Sequence, residues 1–142
     1  MKIRILSFGN LPNKNENSIG GATILYSYIL QGLRESDSLE VRHVPLRKKG
    51  HKWILPFEFL KVLLIAPFKI IKSDVVCIHA TQEFHRTIAP IVVLFCRFFR
   101  KKIIYHFFGG SFFWRYESFT IVFKWILRRT IFKSNVILIE TL

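Results

Sequence analysis

The chain has 142 residues, 51% hydrophobic and 15% aromatic with fifteen Phe, a composition that excludes intrinsic disorder, collagen-like repeats and low-complexity structure. That length predicts one domain with one core, able to bury about two-thirds of its unfolded surface without disulfides or metal. Twenty-two Lys and Arg stand against nine Asp and Glu, a formal charge of +13 that favours phosphates or an anionic membrane surface as partner. The surplus is uneven: residues 1–40 hold four basic and four acidic side chains, residues 41–142 eighteen and five. A nucleic-acid partner is not expected, because no RNP-like, zinc-finger or helix-turn-helix pattern accompanies the charge.

Residues 2–8 read as the first strand. Their apolar stretch is short, carries Arg4 and runs into Gly9, Asn10 and Pro12, which excludes a signal peptide. After a polar loop, Gly20 and Gly21 open a helix in which Ile24, Leu25, Tyr28, Ile29 and Leu33 recur at helical spacing as far as residue 34. Residues 39–46 form the second strand. Arg47, Lys48, Lys49 and Lys52 make a basic loop before an apolar helix that begins near Pro56 and reaches about residue 72, with a kink expected at Pro67. Glu58, Lys61, Lys69 and two prolines exclude a membrane-spanning helix there but allow one that lies on a membrane surface.

Residues 74–79 form an apolar run of the length of a strand buried on both faces, which implies a parallel sheet. Residues 87–100 read as helix, 102–107 as the fourth strand, 118–133 as helix and 135–139 as the fifth strand. The alternation predicts a Rossmann-like, doubly wound α/β sheet over residues 1–142, with spatial strand order 3-2-1-4-5. Cys77 and Cys96 lie in apolar runs with no His or Cys at zinc-ligand spacing, so both read as core residues and no metal site is expected.

Ligands of open parallel sheets bind beyond the carboxyl ends of the strands, which directs attention to loops 9–21, 80–87 and 108–118. In the first, Gly20 and Gly21 at a helix start leave backbone N–H groups and the positive end of the helix dipole open to a diphosphate. The spacing is neither G-x-G-x-x-G nor a P-loop, which counts against a dinucleotide dehydrogenase and a nucleoside triphosphatase. The second loop gathers Thr81, Glu83, His85 and Arg86, suited to hydroxyl-rich ligands. The third combines Gly109 and Gly110 with the aromatics that follow them, Phe112, Phe113, Trp114 and Tyr116, able to stack on sugars or enter a membrane interface. His79 and His106 end the third and fourth strands on the same edge, in positions where a structural role competes with a functional one.

Residues 2–6, Gly20-Gly21-Ala22-Thr23 at a helix start, residues 73–79, residues 102–110 and residues 135–141, taken in order, resemble the amino-terminal domain of GT-B glycosyltransferases of family 4. The resemblance implies the acceptor-binding half of a retaining enzyme that moves a sugar from a nucleotide-sugar donor to a glycan or lipid-linked acceptor. No metal or resident cofactor is implied, the nucleotide sugar being a co-substrate. It implies that Gly20 and Gly21 approach the donor diphosphate, that His79, Thr81, Arg86, Gly109 and Gly110 line the acceptor side, and that Arg47, Lys48, Lys49 and Lys52 meet an anionic membrane. The expected location is the cytoplasm, peripheral at the inner face of the cytoplasmic membrane.

Two departures stand out. The donor-holding carboxyl half with its Glu-x7-Glu motif is absent, since no two Glu are eight apart. The chain is therefore expected to be inactive alone, a truncated enzyme half that a carboxyl-terminal partner chain could complete. Where the family places a His before the glycine that ends the fourth strand, this sequence has Phe108, which leaves His106, two residues earlier, as the candidate catalytic group. The alternative is a degenerate, non-catalytic module that binds a membrane surface or a partner chain. In either case Gly20, Gly21 and the turn at Phe108 are expected to line one crevice at the topological switch point.

Overall fold

The computed structural model describes residues 2–12, 20–45, 55–80, 82–108 and 112–140. Five strands, β1 (Ile3–Gly9), β2 (Leu39–Pro45), β3 (Val75–Ala80), β4 (Lys102–Phe107) and β5 (Val136–Ile139), form one sheet in which every pairing is parallel. The helices are α1 (Gly21–Glu35), α2 (Leu55–Ile71), α3 (Gln82–Arg86), α4 (Ala89–Phe98), α5 (Phe112–Glu117) and α6 (Ile121–Arg129), with a 3-10 turn at Ile131–Lys133. A Rossmann-like α/β architecture is therefore present.

The strand order is 2-1-3-4-5, which corrects the expected 3-2-1-4-5. The physical reason lies in the side chains of β2 and β3. Strand β3 carries no formal charge and is buried from Val76 to Ala80, so it needs a neighbour on each edge and a helix layer on each face. Strand β2 alternates Glu40 and Arg42 with apolar residues, has no fully buried position, and tolerates an edge. On β2 the Arg42 guanidinium donates to Glu40 at 2.7 Å. The switch point accordingly falls between β1 and β3 rather than between β1 and β4.

Two polar contacts fix the centre. Arg4 donates side-chain bonds to both oxygens of Asp74, at 2.7 and 3.1 Å, and its backbone N–H donates to Oδ2 at 2.9 Å, while the Asp74 N–H returns a bond to the Arg4 carbonyl. The guanidinium beside it lowers the Asp74 carboxyl to about 2. At the other side of β4, the Asn135 side chain accepts from the Ile103 N–H at 2.8 Å and sets where β5 begins.

Right-handed crossovers place α1 on one face of this sheet and α2, α4 and α6 on the other. The larger core joins Leu6, Phe8, Ile78, Tyr105, Val93 and Leu127 on the three-helix face. The smaller one joins Tyr26 and Leu30 of α1 to Phe108. Helix α2 continues through Pro67. The expected helix at 87–100 is present as α4, loop 80–87 contains the short α3, and loop 108–118 contains α5. Helix α4 ends with Arg100 at φ 53°, where the Lys101 N–H reaches back to the Cys96 carbonyl; this left-handed closure returns the chain directly into β4.

Gly9 ends β1 beneath the ring of Tyr26. A Cβ placed there would sit 2.6 Å from ring carbons Cε1 and Cε2, and the ring is held by a 2.9 Å bond between Tyr26 Oη and Ser7 Oγ. Gly9→Ala is expected to destabilise the chain by about 1–3 kcal/mol through overpacking. Urea unfolding checks this, and the loss should shrink in a Tyr26→Leu background.

Candidate functional site

The carboxyl halves of β2, β3 and β4 each carry a histidine, His43, His79 and His106. On the α1 face, alternation along the strands brings Ser7, His43, His79 and His106 to the same layer, with Tyr26 above them. His79 and His106 are register partners on β3 and β4, and their Nδ1 atoms lie 3.3 Å apart. His106 Nε2 lies 3.9 Å from the Glu140 carboxylate. That carboxylate favours a proton on His106 Nε2, so His106 Nδ1 accepts and His79 Nδ1–H donates. His79 Nε2 is then a bare acceptor, buried and without a hydrogen-bond partner among the described residues.

Phe108 closes this layer. Its N–H donates to the Ala80 carbonyl at 3.1 Å, which keeps the chain in strand geometry one residue beyond β4. Its ring centroid lies 4.3 Å from His106 and 5.7 Å from His79, and the ring packs against Tyr26 and Leu30 at 4% exposure. The strand end is not bent, so His106 sits beneath Phe108, itself 7% exposed. The side chain at position 108 is thus part of the seam between β4 and α1.

Burial governs the ionisation of the whole group. It lowers His79 to about 4, with repulsion from His106 adding to the effect, and raises Tyr26 to about 12. Burial likewise lowers His106, against the opposing pull of Glu140. His43, whose Nε2 lies 3.0 Å from the Gly9 carbonyl oxygen, is also lowered by burial. On the opposite face His85 is lowered to about 3 by burial, with Nδ1 bonded to Tyr105 Oη at 2.7 Å and its ring stacked on Phe107. Burial raises Cys77 to about 11 and Cys96 to about 12, which leaves both thiols protonated and unreactive at neutral pH.

Gly20 and Gly21 begin α1 at the switch side of β1. Gly20 adopts φ −73° as the N-cap, its carbonyl accepts from the Thr23 N–H and hydroxyl, and among the described residues nothing beyond the adjoining backbone lies within 4 Å of a Cβ built at either glycine. Their use is therefore not steric or conformational within the described residues. Phe108 and the α1 side chains share one face of the sheet, so the glycine-opened helix and the β4 end lie on that same face, although the switch point they were expected to flank belongs to β1 and β3.

Arg86 ends α3 on the other side, with its guanidinium 5.4 Å from the centre of the Phe119 ring. Thr81, Gly109, Gly110, Arg47, Lys48, Lys49 and Lys52 lie outside the described residues. No group of three or more His, Cys, Asp or Glu able to hold a metal occurs among the described residues. Sequence reasoning missed Tyr26 and Ser7 as the polar seam above β1, and Arg115 near Arg86. The stripe expected along this helix, Ile24, Leu25, Tyr28, Ile29 and Leu33, is not its buried face: α1 buries Thr23, Tyr26 and Leu30, while Ile24 and Leu25 are 40% and Tyr28 67% exposed. The chain matches no family model, no curated protein and no solved structure.

A His whose folded pKa lies below its unfolded value stabilises the fold fully above about pH 6.5 and loses that contribution as the unfolded chain takes up protons on acidification. For His79 the loss runs down to about pH 4, and for His85 to about pH 3. Unfolding free energy measured in urea should fall between pH 7 and 5 at up to about 1.4 kcal/mol per pH unit for each such group. Asp74 adds nothing in this window, since its contribution is lost only as pH falls below the ordinary carboxylate range. A flat profile between pH 7 and 5 contradicts the buried neutral pair.

Proposed function

We propose that the chain is the acceptor-binding half of a retaining, GT-B glycosyltransferase of family 4, working with a nucleotide-sugar donor and a glycan or lipid-linked acceptor at an anionic membrane face. The observation that carries this reading is the parallel sheet whose switch point, between β1 and β3, opens onto a helix started by two unobstructed glycines. Backbone N–H groups there can approach a diphosphate closely, and among the described residues nothing crowds either glycine.

Membrane attachment is supported by the helices that cover the other face. Leu64, Phe68, Leu94, Phe98, Ile121 and Trp125 are more than half exposed on α2, α4 and α6. Helices α4 and α6 contain no Asp or Glu, and Arg97, Lys124, Arg128 and Arg129 stand among their apolar residues. Large apolar side chains interleaved with cations suit a bilayer interface with anionic headgroups, each nearby cation contributing about 1 kcal/mol. No helix among the described residues is long and apolar enough to cross a membrane, so attachment would be peripheral.

A second reading, a non-catalytic module, is favoured by one specific feature. Phe108 occupies the place where the family's His meets the donor sugar, and it is committed to the α1 seam. A His at 108 would enter a space shared with Tyr26 and Leu30 and would need its ring nitrogens satisfied there.

Titration of the isolated chain with pyrophosphate, followed by amide NMR, separates the two. The enzyme-half reading expects the first shifts at Gly21, Ala22 and Thr23, with an affinity on the order of millimolar, abolished by Gly20→Asp without a change in melting temperature. Shifts absent from the α1 start, with vesicle binding retained, would support the non-catalytic module. Turnover of a nucleotide sugar by the isolated chain would overturn both.

A further inference from the structure

On the three-helix side, a cavity of about 420 Å³ opens between the ends of α3, α5 and α6, lined by Arg86, Arg115, Ser118, Phe119, Thr120 and Phe123. Its volume falls in the range of ligand-sized sites. Two guanidiniums and no carboxylate line it among the described side chains, and none of those side chains forms an ion pair with Arg86 or Arg115. Packing over the Phe119 ring holds the Arg86 charge against the cavity wall. The hydroxyls are not equivalent: Ser118 Oγ donates its proton to the Arg115 carbonyl at 2.7 Å, whereas Thr120 Oγ1 accepts from the Phe123 N–H. The Thr120 proton is therefore available to a ligand oxygen, beside the amino end of α6.

We propose that Arg86 and Arg115, with Thr120, hold a phosphate group in this cavity, and that the phosphate is the exposed headgroup of an anionic lipid. Planar guanidiniums and a hydroxyl donor match tetrahedral phosphate oxygens, which accept several bonds at once. The lipid source follows from the residues next to the lining. Trp114, which precedes Arg115, is 82% exposed, and Ile121 and Val122, which follow Thr120, are 86% and 68% exposed. Apolar side chains so exposed around a cationic cavity suit a phosphate presented at a bilayer surface, with Trp114 at the headgroup level. This site stands on the three-helix face and goes beyond the reading given to the α1 start, which can fail without affecting it.

The test uses the full chain and two kinds of phosphatidylcholine vesicle brought to equal surface charge, one with phosphatidate and one with a fatty acid. Phosphatidate vesicles should bind about tenfold more tightly, the scale of one or two charge-assisted hydrogen bonds in partly solvated surroundings. Arg86→Gln with Arg115→Gln should remove that preference, and Arg86→Lys with Arg115→Lys, which keeps the charge and guards against misfolding of the first variant, should remove most of it. Lys102→Gln with Lys133→Gln removes the same charge at the amino ends of the strands and should weaken both vesicle types alike while preserving the preference. Inorganic phosphate should compete only at far higher concentration. Equal binding to the two vesicle types, a preference that survives both arginine variants, or inorganic phosphate binding as tightly as the vesicles would each overturn the proposal.

Discussion

Strand β3 has no free side. Residues Val76 to Ala80 are buried on both faces, β1 takes one edge and β4 the other, so its backbone groups, shut away from water, find their partners in those strands while its apolar side chains are covered by the helices. Everything else in the sheet is arranged around that demand. The polar strand β2 goes to the edge, and among the described helices α1 covers one face at the β1 side while α2, α4 and α6 cover the other. The Arg4–Asp74 pair, although exposed, acts where β1 and β3 begin together and sets their register. Surface pairs of this kind contribute little energy by themselves, so their role is alignment of a contact whose stability comes from burial.

Burying β3 also carries His79 into the interior, and that has chemical consequences. A His held between Tyr26, His106 and Phe108 is neutral at physiological pH, shares one hydrogen bond with a second His, and leaves one ring nitrogen without a partner among the described residues. The ligand edge of the sheet on this face is therefore a closed aromatic and imidazole layer. The open features lie to either side of it: the glycine start of α1, and on the far face the arginine-lined cavity beside exposed Trp114 and Ile121. Charge and apolar exposure coincide on that far face, where helices α4 and α6 carry cations and no acid.

All five strands were legible in the sequence to within one or two residues, because short apolar runs bounded by charged or turn residues are unambiguous when helices separate them. Their order was not read correctly, yet the signal was present. Glu40 and Arg42 alternate through β2, and β3 has no charge at all, which is the distinction between an edge and a centre. The helix expected over 87–100 is present as α4, whereas α3 was not legible, because its five residues carry no apolar periodicity and lie where a polar loop was expected. Of the site, His79, His106 and Arg86 were marked from position alone. The closure of Phe108 onto Tyr26 and Leu30 was not legible, since it joins residues about 80 apart through packing and leaves no local trace. Nor did the two arginines of the cavity share a motif; α3 and α5 bring them together only after β3 and β4 have paired.

The account depends most on the central pairing, and interstrand proton contacts in solution measure it directly. In a nuclear Overhauser spectrum of the folded chain, backbone cross-peaks should link residues 5–8 to residues 75–78, and residues 3–9 to residues 39–45, with none between the second and third strands. Cross-peaks between residues 39–45 and 75–80 would place β2 beside β3, and would contradict the switch point, the buried histidine layer and the reading of function built on them.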